Sequence, residues 1–245
     1  MDGTLTEARK KADWSMVRPL IDLSAFAHIG IVTGSPMSYL EQQCGLLWEE
    51  LGSVNIDCIS LFPCNGTQFF TYSFEKSSWE SRSNTNMKSH VGAETYKKIV
   101  REILSLQAFY SDTNQELSLT GNFVSDRKSM INWCPIGRDA EDEDRSEFLK
   151  FDAKYNCRET LKAWFEDALE DMSINNIECT LGGNTSLDIY PEGWDKTYVL
   201  RHLEEFDNVY FVGDKCTGYG NDKALYDALE PGVTSFQTEG PDHTI

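Results

Sequence analysis

The feature that most constrains the fold is the stretch from His28 to Leu61. His28–Thr33 (HIGIVT) is a short apolar run that stops at Gly34-Ser35-Pro36. A run of that length between turn formers predicts a buried strand ending in a loop. Met37–Leu51 follows with apolar residues at helical spacing. Ile56–Leu61 is apolar again until Pro63-Cys64-Asn65-Gly66 breaks it. Strand, helix, strand in this order predicts a parallel sheet covered by helices. The last part repeats the rhythm, with Trp194–Leu203 helical, Val209–Gly213 a strand and Asn221–Leu229 a helix.

The middle does not alternate. Phe69–Phe74, Gly121–Val124 and Ser129–Cys134 read as strands, and Glu94–Phe109 and Phe148–Met172 as helices. Ile177–Leu181 and Ser186–Tyr190 read as a hairpin. Glu75–Ser89, rich in Ser, Asn and Lys, reads as an exposed loop, and Arg138–Arg145 as a dense charge run. This is an α+β pattern. The expected organisation is an α/β core formed by 1–74 and 185–245, split by an inserted α+β domain at 75–184. Internal repeats and low-complexity tracts are lacking.

Charge narrows the function. The 245 residues carry 22 Lys and Arg against 40 Asp and Glu, a net charge of -18. Binding to a nucleic acid backbone needs cations that displace counterions, so that class is excluded. Apolar runs are too short to span a bilayer, and the start, MDGTLTEARKK, has no apolar centre of a leader. The seven cysteines are odd in number and lack Cys-x-x-Cys spacing, which predicts reduced thiols in a cytoplasmic protein. The four histidines are too scattered for a zinc site. An acidic chain that takes a phosphorylated substrate has to gather cations locally, as arginines or a metal.

Five strings carry chemistry. Asp2-Gly3-Thr4 alone reads as a turn. Thr33-Gly34-Ser35, at a strand end, can hold phosphate through a hydroxyl and backbone N–H groups. Phe211-Val212-Gly213-Asp214-Lys215 puts a carboxylate where parallel sheets bind ligands, with Gly220-Asn221-Asp222 downstream. Carboxylates, carbonyls and water are the ligands Mg²⁺ prefers. The string Ser186-Leu187-Asp188-Ile189-Tyr190-Pro191-Glu192-Gly193-Trp194-Asp195-Lys196 is long and specific. Arg127, Asn132-Trp133-Cys134-Pro135-Ile136-Gly137-Arg138 and Arg145 supply guanidiniums, whose planar fork suits phosphate.

Together, from Met1 to about Asp227, these strings resemble the eukaryotic-type phosphomannomutases of the haloacid-dehalogenase superfamily. The resemblance implies a three-layer, Rossmannoid α/β core with an inserted α+β cap. It implies interconversion of mannose 6-phosphate and mannose 1-phosphate through an aspartyl-phosphate, with a hexose 1,6-bisphosphate as activator. The signature is Asp-x-Asp-Gly-Thr after the first core strand. Asp2 matches its second, acid–base aspartate; the nucleophilic first would stand directly before Met1, and the strand before that. By the same resemblance Thr33 holds the reacting phosphate and Lys196 neutralises its charge. Asp214, the backbone carbonyl of Asp2 and, in or near the ligand set, Asp222 hold Mg²⁺. Arg9, Arg127, Arg138, Arg145, Ser186 and Asp188 bind the hexose phosphate, and the cap makes a homodimer.

There are departures. Thr33 stands where these enzymes usually have Gly. Trp133-Cys134 replaces Val-Ser, with a change expected on the cap's substrate face. The tail after Phe236 lacks an obvious helix. Two other readings stay open: a sugar phosphatase on the same core, or, if the nucleophile is truly absent, an inactive sugar-phosphate-binding protein.

Overall fold

A computed structural model describes residues 1–51 and 55–245. The chain divides into two units, one of Met1–Asn84 with Gly193–Ile245, the other of Thr85–Glu192.

In the first unit, α1 (Trp14–Ser24) is capped by Asp13, whose side chain accepts from Ser15 N at 2.9 Å. β1 (Ile29–Val32), α2 (Met37–Asn55) and β2 (Ile59–Phe62) realise the expected strand–helix–strand unit. β1 and β2 are parallel, in register from Ile29↔Ile59 to Val32↔Phe62. All four residues of β2 are buried, as expected of a strand covered on both faces. β3 (Gln68–Ser73) and β4 (Ser78–Asn84) continue antiparallel, so the sheet runs β1-β2-β3-β4. Val17, Leu40, Leu47, Ile59 and Leu61 form its core.

The later part of this unit holds a 3₁₀ segment (Lys196–His202), β9 (Phe211–Gly213), α7 (Lys223–Ala228), β10 (Ser235–Gln237) and the single turn α8 (Pro241–Thr244). The expected helix over Trp194–Leu203 is therefore a 3₁₀ turn capped by Asp195, which accepts from Thr197 N at 2.8 Å. β9 and β10 are parallel. Among the described residues β1 is an end strand and β9 pairs with β10 alone. A cavity of about 820 Å³ is lined by Ile29 and Ile31 of β1, Phe211 and Val212 of β9, Leu20 and Met1.

The second unit contains α3 (Met87–Val91), α4 (Ala93–Thr113), β5 (Val124–Asp126), β6 (Ile131–Trp133), α5 (Asp142–Tyr155), α6 (Cys157–Asp171), β7 (Ile177–Gly182) and β8 (Ser186–Pro191). Its sheet is antiparallel, in the order β5-β6-β8-β7. α6 packs on α4 and on β7 and β8, which buries Ile99, Ile103, Leu161 and Phe165. The charge run opens α5 through a capping box of Glu141 and Asp144, which places acidic side chains at the positive end of the helix.

Two expectations need correction. The insert is not 75–184: the β3–β4 hairpin pairs from Gln68↔Asn84 to Ser73↔Ser78 and belongs wholly to the first unit. The β7–β8 hairpin pairs from Ile177↔Pro191 to Gly182↔Ser186 and belongs wholly to the second. Hydrogen-bonded hairpins do not divide, so Ser186 and Asp188 lie in the insert and not in the core. Nor is Glu75–Ser89 a loop; it contains β4 and the start of α3. β4 is a largely exposed edge strand, so its sequence lacks the apolar alternation that marks a strand.

Candidate active site

In the first unit the site begins at a tight turn. Thr4 N, Leu5 N and Thr6 N all donate to the Met1 carbonyl, at 3.1, 2.8 and 3.2 Å, and Gly3 N donates to Thr6 O at 2.7 Å. Gly3 has φ +75°, and a Cβ there would lie 2.3 Å from Asp214 Oδ2. Only glycine lets this turn lie against Asp214. Thr4 Oγ1 donates to Asp214 Oδ1 at 3.3 Å. Asp2 Oδ1 accepts from the backbone N–H of Arg9 at 3.2 Å.

Asp214 directly follows β9, and Asp222 directly precedes α7. Lys196 and Asp222 are 5% and 4% exposed and form an ion pair. The other Asp222 oxygen accepts from Lys215 N at 3.1 Å. Burial works to raise the Asp222 carboxyl, but the Lys196 charge and hydrogen bond outweigh it and hold the pKa down at about 2. Asp214 is pushed up, first by burial and then by the neighbouring Asp222 charge. The Met1 amino group is buried among Lys196, Asp222, Asp2 and Asp214; burial first, then Lys196, lowers its pKa. The structure thus brings Asp2, Lys196, Asp214 and Asp222 together.

Could these residues hold Mg²⁺? Both oxygens of Asp222 are engaged by Lys196 and Lys215. Asp214, whose ionised form is disfavoured by burial and then by a second carboxylate, is the group a cation would relieve. A carboxylate with carbonyl and water oxygens is the donor set that Mg²⁺ takes, so the residues fit. A ready cluster of three acidic, His or Cys ligands is not found among the described residues.

Thr33 is buried at the end of β1. Its backbone N–H donates to Phe62 O at 3.1 Å and its Oγ1 accepts from Ser35 N at 3.1 Å.

The second unit carries the other predicted residues in one network. Asn132 of β6 and Asp188 of β8 are register partners. Asn132 Nδ2 donates to Asp188 Oδ1 at 2.7 Å, and Arg127 Nη1 lies 3.8 Å from the same oxygen. Arg138 Nη1 donates to Asn132 Oδ1 at 2.6 Å. Arg145 donates to Ala140 O at 2.9 Å, Arg138 O at 2.8 Å and Thr185 Oγ1 at 2.7 Å. Ser186 lies two residues before Asp188 along β8 and so shares its face. Arg127 lies beside the Asp188 carboxylate, Arg138 is joined to it through Asn132, and Arg145 is tied to the Arg138 carbonyl, so the three guanidiniums belong to one linked set, a side-chain type suited to a phosphate. Asn132, which joins Arg138 to Asp188, lies in a string the sequence singles out; Thr185, which accepts from Arg145, does not stand out in the sequence.

Trp133 does not reach this face. It is fully buried, and its Nε1 donates to Gln107 Oε1 at 2.7 Å while Gln107 Nε2 donates to Pro135 O at 2.9 Å. Alternation along β6 sends Trp133 to the face opposite Asn132. Cys134 is also buried, its Sγ near Gly137 O at 3.3 Å and Thr185 O at 3.4 Å. The Trp-Cys replacement is accommodated in the core, contrary to the expected change of substrate surface.

Comparison with known proteins gives the fold and the family. The chain resembles a Plasmodium falciparum IMP-nucleotidase, in an IMP-bound mutant form, with a TM-score of 0.66 at 13% identity over 99% of this chain and 64% of that one. A truncated form of that nucleotidase gives 0.66 at 14%, over 99% and 66%. These likenesses establish a haloacid-dehalogenase-like fold. Phosphomannomutases match far more closely in sequence: 32% identity with that of Solanum lycopersicum over 93% of this chain and 83% of the relative. That of Schizosaccharomyces pombe gives 32% over 100% and 89%, and that of Encephalitozoon cuniculi 33% over 100% and 88%. With the model of the eukaryotic phosphomannomutases matching residues 16–245, the chain belongs to the eukaryotic phosphomannomutase family.

Proposed function

We propose that this chain is a phosphomannomutase that interconverts mannose 6-phosphate and mannose 1-phosphate through an aspartyl-phosphate, with a hexose 1,6-bisphosphate as activator. The observation that carries the reading is the linked set of three arginines on one unit, Arg127 beside Asp188, Arg138 bonded to Asn132 and Arg145 bonded to the Arg138 carbonyl. A mutase acting through a bisphosphate needs a second phosphate station, and a simple phosphatase does not. The first unit supplies the station for the reacting phosphate, with Thr33 and Lys196.

The nucleophile in this reading is an aspartate directly before Met1 in the natural protein. Two observations support it. The Met1 amino group lies among Asp2, Lys196, Asp214 and Asp222. The apolar cavity beside β1 and β9, each with an edge unpaired among the described residues, offers both backbone partners and volume for one further extended segment leading to that point. The nucleophile's carboxylate attacks phosphorus of the bisphosphate, the bond from phosphorus to the sugar oxygen breaks, and Asp2 gives that oxygen its proton. In the second half Asp2 takes the proton of the other hydroxyl as its oxygen attacks the phosphoaspartate. Lys196, fixed by Asp222, offsets the charge on the transferring group. Mg²⁺, held by Asp214 with the Asp2 carbonyl and with Asp222 close by, would supply further charge neutralisation when bound. Arg9, Ser186 and Asp188 contribute to sugar-phosphate binding. The protein acts in the cytoplasm as a homodimer through the inserted unit, where Leu104, Phe109 and Trp164 are exposed on α4 and α6.

The test is the intact mass of the natural protein with its N-terminal sequence, followed by an assay with Mg²⁺ and mannose 1,6-bisphosphate. Residues before Met1 ending in Asp, with conversion of mannose 1-phosphate, support the reading. A natural chain starting at Met1 removes the aspartyl-phosphate. Stoichiometric release of phosphate favours the phosphatase.

A further inference from the structure

The turn after β2 is built more tightly than a connection requires. Cys64 and Asn65 both hold positive φ, 50° and 63°. Asn65 is 6% exposed, although a buried amide is costly unless it is hydrogen-bonded. Asparagine tolerates this backbone region better than most residues, so conformation alone could account for its presence. Its contacts go further. The Asn65 backbone N–H donates to Thr33 O at 2.8 Å, and its side-chain Nδ2 donates to Trp194 O at 3.3 Å. Cys64 N donates to Ser35 O at 3.0 Å.

One residue therefore grips two elements of the first unit at once. One is the end of β1, which carries Thr33. The other is the segment that enters the 3₁₀ turn carrying Lys196. The next residue seals the junction. Gly66 has φ +87°, and a Cβ there would come within 2.8 Å of the Val199 backbone. Its carbonyl meets His202 Nε2 at 2.9 Å. Lys196 is held from its other side by Asp222, so its two supports are the Asp222 carboxylate and the Asn65 turn.

We infer that Asn65 is a positioning residue that fixes the separation of Thr33 and Lys196 through its side-chain bond to Trp194 O. The inference rests on the reading of those two groups as the station for the reacting phosphate. Small misplacements of such groups cost much rate, about a hundredfold for roughly 1 Å.

Asn65→Gly separates the two roles of the residue. Glycine adopts the positive φ freely and keeps the N–H that meets Thr33, but loses the Nδ2 donor. Asn65→Asp keeps the shape and sets a carboxylate oxygen against the Trp194 carbonyl, and serves if the glycine variant does not fold. Each variant of the full natural protein is to be measured for its thermal midpoint, its affinity for inorganic phosphate by calorimetry, and its kcat and KM for mannose 1-phosphate. The expected result for either folded variant is a phosphate affinity lower by about tenfold or more and a kcat lower by about ten- to a hundredfold, with KM changed far less. A folded variant with wild-type phosphate affinity and kcat overturns the inference and leaves Asn65 a turn residue. If the wild type binds phosphate but shows no mutase activity, the proposed reaction is wrong, and the phosphate titration alone decides the tether. A wild type that binds no phosphate overturns both.

Discussion

Lys196 and Asp222 are almost wholly buried and paired, so each depends on the other for its charge. Removing one partner of such a pair strands the other in a poor solvent, at a cost of about 3–5 kcal/mol, whereas replacing both is often near neutral. Lys196→Met should therefore lower the unfolding free energy by about 3–5 kcal/mol, and the Lys196→Met, Asp222→Asn double variant should recover most of it. Urea unfolding of the three proteins in chelator checks this, and both variants should lack activity. His28 gives a pH test. Its Nε2 lies 2.9 Å from Ser60 Oγ, and burial lowers its pKa below 6.5, against the opposing pull of Glu205 and Asp57. The fold favours the neutral ring. This contribution is complete above the unfolded pKa and is lost as pH falls through it toward the folded value. The thermal midpoint should accordingly drop more between about pH 7.5 and 5.5 in the wild type than in His28→Gln; equal drops would contradict the account. At this scale Asp2, Lys196, Asp214 and the three arginines stood out in the sequence because they fall in motifs, and the structure brings the first three together in one unit and links the arginines in the other. The partners of Asn132, Thr185 and Asn65 did not stand out, because sheet register and the detailed geometry of a turn set them.

At the scale of elements, β6 serves two masters. Asn132 faces Asp188 and Arg138, while Trp133 fills the core and satisfies Gln107. Trp133→Val should cost about 3–5 kcal/mol, since it leaves a cavity and an unpaired buried amide oxygen. Phosphate affinity at the arginine network should change little, because the strand's other face is intact. Denaturation and phosphate titration of this variant test both statements. The elements that the sequence made plain were the ones with apolar periodicity: β1, β2, α2, α4 and the β7–β8 hairpin. β4 escaped because an exposed edge strand has no buried face to write into its sequence. The Lys196 segment kept helical spacing but closed as a 3₁₀ turn, a distinction that capping and local packing decide.

For the molecule as a whole, an excess of acid is reconciled with an anionic substrate by concentration. The net charge of -18 is spread over the chain, whereas Arg127, Arg138 and Arg145 are collected on one unit and Lys196 on the other. The two-unit organisation was legible from the change between alternating and non-alternating rhythm. Its boundaries were not, because hairpins at both junctions carry the chain past the points where composition changes. The central claim is the conversion itself. The most direct measurement is a phosphorus NMR time course of the full natural protein with mannose 1-phosphate, Mg²⁺ and a catalytic amount of mannose 1,6-bisphosphate. The account predicts that the mannose 1-phosphate signal is replaced by that of mannose 6-phosphate, that inorganic phosphate stays negligible, and that omission of the bisphosphate slows the reaction. An unchanged substrate signal, or its replacement by inorganic phosphate, would contradict it.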